Sequence, residues 1–174
     1  MTREEGIRSW RIAIRFGLIL GTAIVLYSAV LAFAELYTND VLALWVTLVG
    51  EWIAIAWFLA LGARAGNRFV RQLLEGAIVV FVLAAVLVPA TWIQLTVITP
   101  DYADVILESM RVDATTRGVP AERIERMVEK VRPMYTPIRQ TTFAFVGTLM
   151  TCLPVVLLVS IFVRARKERA IEPG

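Results

Sequence analysis

Four long apolar runs constrain this chain more than any other feature of its sequence. The runs Phe16 to Ala34, Gly76 to Thr99 and Gln140 to Val163 contain no charged residue, and Val41 to Ala63 contains only Glu51. Each run has 19 to 24 residues, and about 20 helical residues are needed to cross a hydrocarbon core about 30 Å thick. The hydrophobic share of 58% also exceeds the roughly 45 to 50% of soluble domains. The sequence therefore predicts an all-α integral membrane protein with four transmembrane helices.

The start of the chain shares two features with a secretory signal, because basic residues precede the first run and Ala32-Phe33-Ala34 has the small residues of a cleavage site. The apolar stretch of a signal peptide has about 7 to 15 residues, and the first run is longer than that. We therefore expect this run to remain in the protein as its first spanning helix.

The distribution of basic residues predicts the orientation of the spans. The connection between the first two spans has no basic residue, and its only charged residues are Glu35 and Asp40. By the positive-inside rule, both termini then lie in the cytoplasm, and residues 35–40 and 100–139 lie outside. Membrane lipids are the first expected partners, and anionic lipid is expected at the basic C-terminal run. The basic clusters that carry this prediction precede the first span, separate the second from the third, and follow the fourth: Arg3, Arg8, Arg11, Arg15; Arg64, Arg68, Arg71; Arg164, Arg166, Lys167, Arg169.

The segment 100–139, between the third and fourth spans, reads as two short amphipathic helices. Thr99 is expected to cap the first helix and Gly118 to end it, while Pro120 opens the second and Pro133 stops it. We expect this segment to be an extracytoplasmic insertion within a single four-helix domain of residues 1–174. It either covers the outer end of the bundle or forms a docking platform for a partner. The candidate partner surface consists of apolar residues at helical spacing in the second helix: Ile124, Met127, Val128 and Val131.

Small residues at helical spacing indicate close contacts between helices. Gly17 and Gly21 form the GLILG motif of the first span, and Gly50 and Ala54 share one face of the second. Small residues four apart allow the backbones of membrane helices to approach closely. These faces are expected to pack among the four helices of the chain, or against a second copy of it.

The chain lacks most residues that carry out chemistry. It contains no histidine and one cysteine, Cys152, which excludes histidine-ligated metals, haem and histidine acid–base catalysis. The sequence also has no nucleotide-binding loop, nucleophile elbow, metal-ligand spacing or nucleic-acid patch. We therefore expect no enzymatic activity, no cofactor and no nucleic-acid partner.

Glu51 is the one residue for which the sequence itself suggests a function. A carboxylate near the middle of a span costs about 2.5 to 3.5 kcal/mol on insertion scales, so Glu51 should be protonated, hydrogen-bonded or paired. Three interpretations stay open: a neutral residue that joins helices, a proton or cation coupling site, or a contact with a partner subunit. The other polar groups of this candidate intramembrane site are those at matching depth: Tyr27, Ser28, Thr91 and Thr151.

The order of features along the chain resembles the bacterial four-helix membrane family catalogued as domain of unknown function 4199. The residues that carry the resemblance are GLILG at Gly17 to Gly21, the approach from Arg68 through Gly76 into the third span, ITPDY at Ile98 to Tyr102, and the last span from Gly147 through Lys167. The resemblance implies a bacterial inner-membrane protein with four spans. It implies no activity and no catalytic residues.

Two functional hypotheses follow. The first is a non-catalytic accessory, assembly or scaffold subunit that packs against another membrane protein or against itself. The alternative is a small transporter or channel component that uses Glu51 as an intramembrane proton or cation site. In this alternative, helix kinks at Pro89 and Pro154 would shape the path.

Overall fold

The computed structural model describes residues 3–33, 40–64 and 68–169, and the secondary structure within these residues is entirely helical. Six α-helices follow one another along the chain: α1 (Arg3–Phe33), α2 (Asp40–Arg64), α3 (Phe69–Ile93), α4 (Tyr102–Thr116), α5 (Ala121–Val131) and α6 (Pro137–Arg169).

Four of these helices are long and apolar enough to cross a membrane, as the sequence predicts. The four stretches are Trp10–Leu31, Trp45–Ala63, Phe69–Ile98 and Pro137–Val163. Only 17% to 33% of the most apolar part of each stretch is buried inside the protein. The rest of this apolar surface needs lipid or another membrane protein as its surroundings, which marks the chain as a membrane protein.

The chain divides into two compact units. The first, here called the bundle unit, comprises residues 1–86 and 145–174. The second, the hairpin unit, comprises residues 87–144 and contains α4 and α5.

All four spans contribute to the core of the bundle unit. One cluster of buried side chains joins α1, α2, α3 and α6: Ala13, Ile55, Leu59, Val79, Val80, Cys152 and Val156. Leu83 and Ala84 of α3 are also fully buried.

Glycines mark the closest helix contacts in the bundle unit. A methyl group at Gly17 would lie 2.9 Å from Cβ of Val82, and one at Gly21 would lie 2.9 Å from Cβ of Val86, so both glycines of GLILG face α3. Gly50 differs from the expectation, because a methyl group there would meet no atom within 4 Å. Gly50 therefore makes no close helix contact in the described structure, and Ala54, one turn later, is half-buried.

The third span continues past α3 as a π-helical turn, Gln94–Ile98. The backbone amide of Thr99 donates to the carbonyl of Gln94 at 2.8 Å, and its hydroxyl donates to the same carbonyl at 3.1 Å. Thr99 therefore closes this turn and does not cap α4 with its side chain, which corrects the prediction. Helix α4 begins three residues later, at Tyr102.

Gly118 ends α4, as predicted, because it adopts a positive φ of 73°. The amide of Gly118 donates to the carbonyl of Thr115 at 2.9 Å, and the amide of Val119 donates to the carbonyl of Ala114 at 3.1 Å. This pattern is a Schellman motif, in which glycine adopts the left-handed conformation without the steric cost that other residues pay. The chain then reverses direction into α5.

Helices α4 and α5 pack their apolar faces against each other. Ile124 and Val128 of α5 are 6% and 5% exposed and contact Leu107 of α4, which is 1% exposed. These two members of the predicted partner surface are therefore covered by the hairpin unit itself, which corrects that prediction. Of the other two, Met127 is 52% exposed and Val131 is half-buried.

Ion pairs join the two helices of the hairpin unit along their exposed side. Arg111 Nε lies 3.0 Å from Glu125 Oε1, and Arg111 Nη1 lies 3.1 Å from Glu108 Oε2. The hydrogen bond to Glu125 and then the one to Glu108 raise the pKa of the Arg111 guanidinium. A further pair links Asp104 of α4 to Arg132, which follows α5, at 3.3 Å.

Candidate functional site

Glu51 is the buried acidic residue at the centre of the candidate site. Only 4% of its surface is exposed, and its Oε2 accepts a hydrogen bond from the thiol of Cys152 at 3.4 Å. Glu51 belongs to α2 and Cys152 to α6. The bond therefore connects two spans that are far apart in the sequence.

Helical spacing places both groups in the core. Glu51 is followed at intervals of four by Ile55 and Leu59, and Cys152 is followed by Val156; all of these residues are buried. Residues four apart share one face of a helix. The carboxyl and the thiol therefore lie on the faces of α2 and α6 that contribute to the apolar core of the bundle unit.

The hydrogen bond offsets part of the cost of burying the carboxyl. A buried polar group without a partner costs several kcal/mol, and the low dielectric of the interior strengthens any bond that it does make. A thiol is a weak donor, so Cys152 compensates this cost only in part. The carboxyl of Glu51 thus has only a weak hydrogen-bond donor as its partner, whereas the other buried carboxyl of the described spans, that of Glu75, bonds an arginine. Glu51 is therefore the candidate for a functional role.

Glu51 also lines an open cleft of about 230 Å³ between α1 and α2. Two further polar groups line it, the hydroxyls of Tyr27 and Thr47. The remaining lining is apolar or glycine: Leu20, Ala23, Ile24, Val46 and Gly50. The buried carboxyl of Glu51 thus lies at the wall of a mainly apolar cleft.

The structure brings together some of the predicted polar groups. Tyr27 shares the cleft with Glu51, whereas Ser28 is half-buried and is not part of the cleft lining. The hydroxyl of Thr151 donates to the carbonyl of Gly147 at 2.8 Å and lies 3.8 Å from Sγ of Cys152. Thr91 belongs to the hairpin unit, where it is half-buried.

Cys152 is the functional group that sequence reasoning missed. In the sequence it was noted only as the single cysteine of the chain. Its position near the middle of the last apolar run matches the depth of Glu51 in the second run. This match of depths is the signal that would have identified the pair.

A second buried polar cluster lies at the start of α3. Arg71 Nε donates to Glu75 Oε1 at 2.7 Å, and Glu75 and Gln72 are each 4% exposed. Ser160 of α6 is completely buried, and within the described part of the chain its hydroxyl has no hydrogen-bond partner. In the sequence, Arg71 served only as one of the basic residues that predict the orientation of the spans. The spacing of four between Arg71 and Glu75 indicates the ion pair.

The residues that the structure describes contain no group of three or more histidine, cysteine, aspartate or glutamate side chains that could hold a metal ion. The carboxyl of Glu51 can accept hydrogen bonds, exchange a proton and attract a positive charge.

Comparison with known proteins gives one match. The family model described as "Protein of unknown function (DUF4199)" matches residues 15–165, which include most of the first span, the other three spans and the hairpin unit. No curated protein and no solved structure matches the chain. The matched region covers most of the sequence and agrees with the resemblance inferred from its motifs. The chain therefore belongs to the DUF4199 family of proteins of unknown function.

Proposed function

We propose that this protein is a non-catalytic accessory, assembly or scaffold subunit of the bacterial inner membrane, which packs against another membrane protein or against a second copy of itself. The large apolar surface that the four spans leave exposed supports this proposal. Both termini lie in the cytoplasm and residues 100–139 lie outside, as the distribution of basic residues indicates.

The exposed apolar surface carries the assembly proposal, and a second observation bears on Glu51: its carboxyl accepts a hydrogen bond from Cys152 inside the core, at 3.4 Å. A carboxyl that bonds a neighbouring span joins helices, whereas a transport site needs a continuous polar path. The cleft beside Glu51 is mainly apolar. Glu51 is therefore assigned here to helix packing, as a neutral group.

The assembly proposal is tested by purifying the full chain in a mild detergent and recording its native mass spectrum. We expect a second copy of the chain, or another membrane protein, in a fixed stoichiometric ratio. A strictly monomeric chain that carries only lipid would contradict the proposal.

The role of Glu51 is tested by Glu51→Gln, which keeps the shape and an oxygen acceptor for Cys152. The free energy of unfolding should change by no more than about 1 kcal/mol. Glu129→Gln, at an exposed position of α5, is the matched control. The S–H stretching band provides a direct readout, because Cys152 is the only cysteine. This band should move towards that of a free thiol in Glu51→Leu and stay unchanged in Glu129→Gln.

Transport is the second candidate function, and the cleft that reaches Glu51 favours it. In proteoliposomes, Glu51→Gln should then abolish a pH-dependent flux and leave the melting curve unchanged, because an amide cannot exchange a proton. Pro89 and Pro154 both lie on exposed faces of their helices, so neither lines the cleft. If the unaltered protein shows no flux above protein-free vesicles, transport is excluded and the packing role stands.

A further inference from the structure

The cleft between α1 and α2 combines three properties that are rarely found together. It is mainly apolar, it is open, and it has a carboxyl at its wall. Charged side chains inside a membrane span are rare and mark binding sites or ion pathways. None of the described residues that line the cleft is basic.

The packing of α1 on α2 gives the cleft a direction. The rings of Phe16 and Phe58 stack with their centroids 4.7 Å apart. Counting outward from this contact along two antiparallel helices places Ala23 beside Glu51 and Tyr27 beside Thr47. Among the lining residues, the carboxyl is therefore towards the aromatic contact, and Tyr27 lies about 6 Å further along α1.

We propose that this cleft binds a lipophilic amine, with the amino group at Glu51 and the apolar chain along Ala23, Ile24 and Val46. Charge complementarity selects the amine, since the ionisable group of the cleft is an acid. The apolar lining selects an alkyl chain that is already dissolved in the bilayer. This ligand is an addition to the packing role proposed above and does not depend on it.

Binding needs no net charge to enter the membrane. A neutral primary amine accepts the proton of the Glu51 carboxylic acid, so one O–H bond is broken, one N–H bond is formed, and the complex as a whole stays neutral. The Cys152 thiol keeps its hydrogen bond to the carboxylate that results, and hydrogen bonds to ionised acceptors are stronger than those to neutral ones. The pair of Glu51 and Cys152 thus stabilises the bound state.

Gly50 provides a variant that fills the cleft without disturbing the core. A Cβ atom added there meets no atom within 4 Å, so the side chain of Gly50→Leu can start without a clash, and we expect it to occupy the cleft beside Glu51 and leave the fold intact. Gly147 is the matched control, because it is also helical, also has open space where a side chain would start, and does not line the cleft.

The experiment measures the binding of tritiated octylamine to the full chain in phosphatidylcholine nanodiscs, with the signal of empty nanodiscs subtracted. We expect saturable binding of one amine per chain that octanol and octanoate do not displace. Glu51→Gln should abolish binding, and Gly50→Leu should weaken it at least tenfold. Gly147→Leu should bind as the unaltered protein does. The S–H band of Cys152 should shift when octylamine is added, but not when octanol is added.

Several results would overturn the inference. The absence of saturable binding would exclude the amine, and equal competition by octanol would show that the cleft takes only an apolar chain. Unchanged binding in Glu51→Gln or in Gly50→Leu would place the amine elsewhere. If Glu51→Gln fails to fold, the comparison of Gly50→Leu with Gly147→Leu decides the question alone. The oligomeric state measured by native mass spectrometry tests the scaffold proposal separately.

Discussion

At the scale of single residues, the glycines of the bundle unit have unequal roles. A methyl group at Gly76 would lie 2.5 Å from Cγ1 of Val156 and 3.2 Å from Cδ2 of Leu59. A methyl group at Gly147 would meet no atom within 4 Å. Gly76 therefore allows α3 to contact both α2 and α6, whereas Gly147 makes no comparable contact within the described structure.

We expect Gly76→Ala to lower the free energy of unfolding by about 1 to 3 kcal/mol, because the added carbon overpacks a tight contact. Gly147→Ala should leave stability unchanged or raise it by up to about 1 kcal/mol, since alanine favours the helix more than glycine does. Equilibrium unfolding in mixed micelles measures both variants. Equal effects of the two substitutions would show that the contact at Gly76 is not a constraint.

Ser160 offers a prediction in the opposite direction. Its hydroxyl is buried and has no hydrogen-bond partner among the described residues, and such a group costs about 1 to 3 kcal/mol. Ser160→Ala should therefore leave the free energy of unfolding unchanged or raise it by about 1 kcal/mol. Ser109→Ala, at an exposed position of α4, is the control in the same unfolding assay. A clear loss of stability in Ser160→Ala alone would reveal a partner for this hydroxyl.

At the scale of the helical elements, α4 and α5 form a unit with its own small core. Leu107, Ile124 and Val128 fill it, and Val119, Ala114 and Tyr135 pack around them. The Schellman motif at Gly118 sets the reversal between the two helices. The ion pair of Arg111 with Glu125 is largely exposed to solvent, so salt should screen it and its contribution should be small.

Val128→Asp should unfold this hairpin, because it places a charge in a core that has no partner for it. Met127→Asp should be tolerated, since Met127 is 52% exposed on the other side of α5. Hydrogen exchange of the α4 and α5 amides measures the difference: protection should be lost in Val128→Asp and kept in Met127→Asp. The prediction is wrong if the two variants behave alike.

At the scale of the whole molecule, the bundle unit has little internal burial to hold it together outside a membrane. At most a third of the most apolar part of each span is buried. The exposed remainder loses contact with water only in lipid or against another apolar surface. The stability of this protein therefore depends on the lipid or protein that surrounds its spans.

Orientation is tested with single cysteines introduced into a Cys152→Ser background, in which the serine hydroxyl can still donate to Glu51. A membrane-impermeant thiol reagent added to intact spheroplasts should label Thr115→Cys and should leave Asn67→Cys unlabelled until the membrane is opened. This pattern follows from the positive-inside rule. Labelling of Asn67→Cys in intact spheroplasts would reverse the proposed orientation.

The sequence by itself determined the helical class, the four spans and the end of α4, because these depend on local properties. An apolar run of 19 residues or more can satisfy its backbone in a membrane only as a helix or in a closed barrel, and a glycine at a helix end adopts positive φ at little cost. The family followed from the order of such local features. The acidic residue inside the second span could be identified in the same way, from the cost of burying a carboxylate.

The partners of these residues were decided only by the tertiary structure. Thr99 closes a π-helical turn where a cap of α4 was expected, and Ile124 and Val128 are covered by α4 where a partner surface was expected. Gly50 faces open space, while Gly76, which the sequence marked only as the start of the third apolar run, makes the tightest contact of the described glycines. Glu51 bonds Cys152 and not one of the hydroxyls at its depth. The difference at Thr99 is local to one turn, whereas the other three share one physical reason. Periodicity defines which face of a helix is apolar, but the rotation and register of one helix against another depend on side chains that are distant in the sequence.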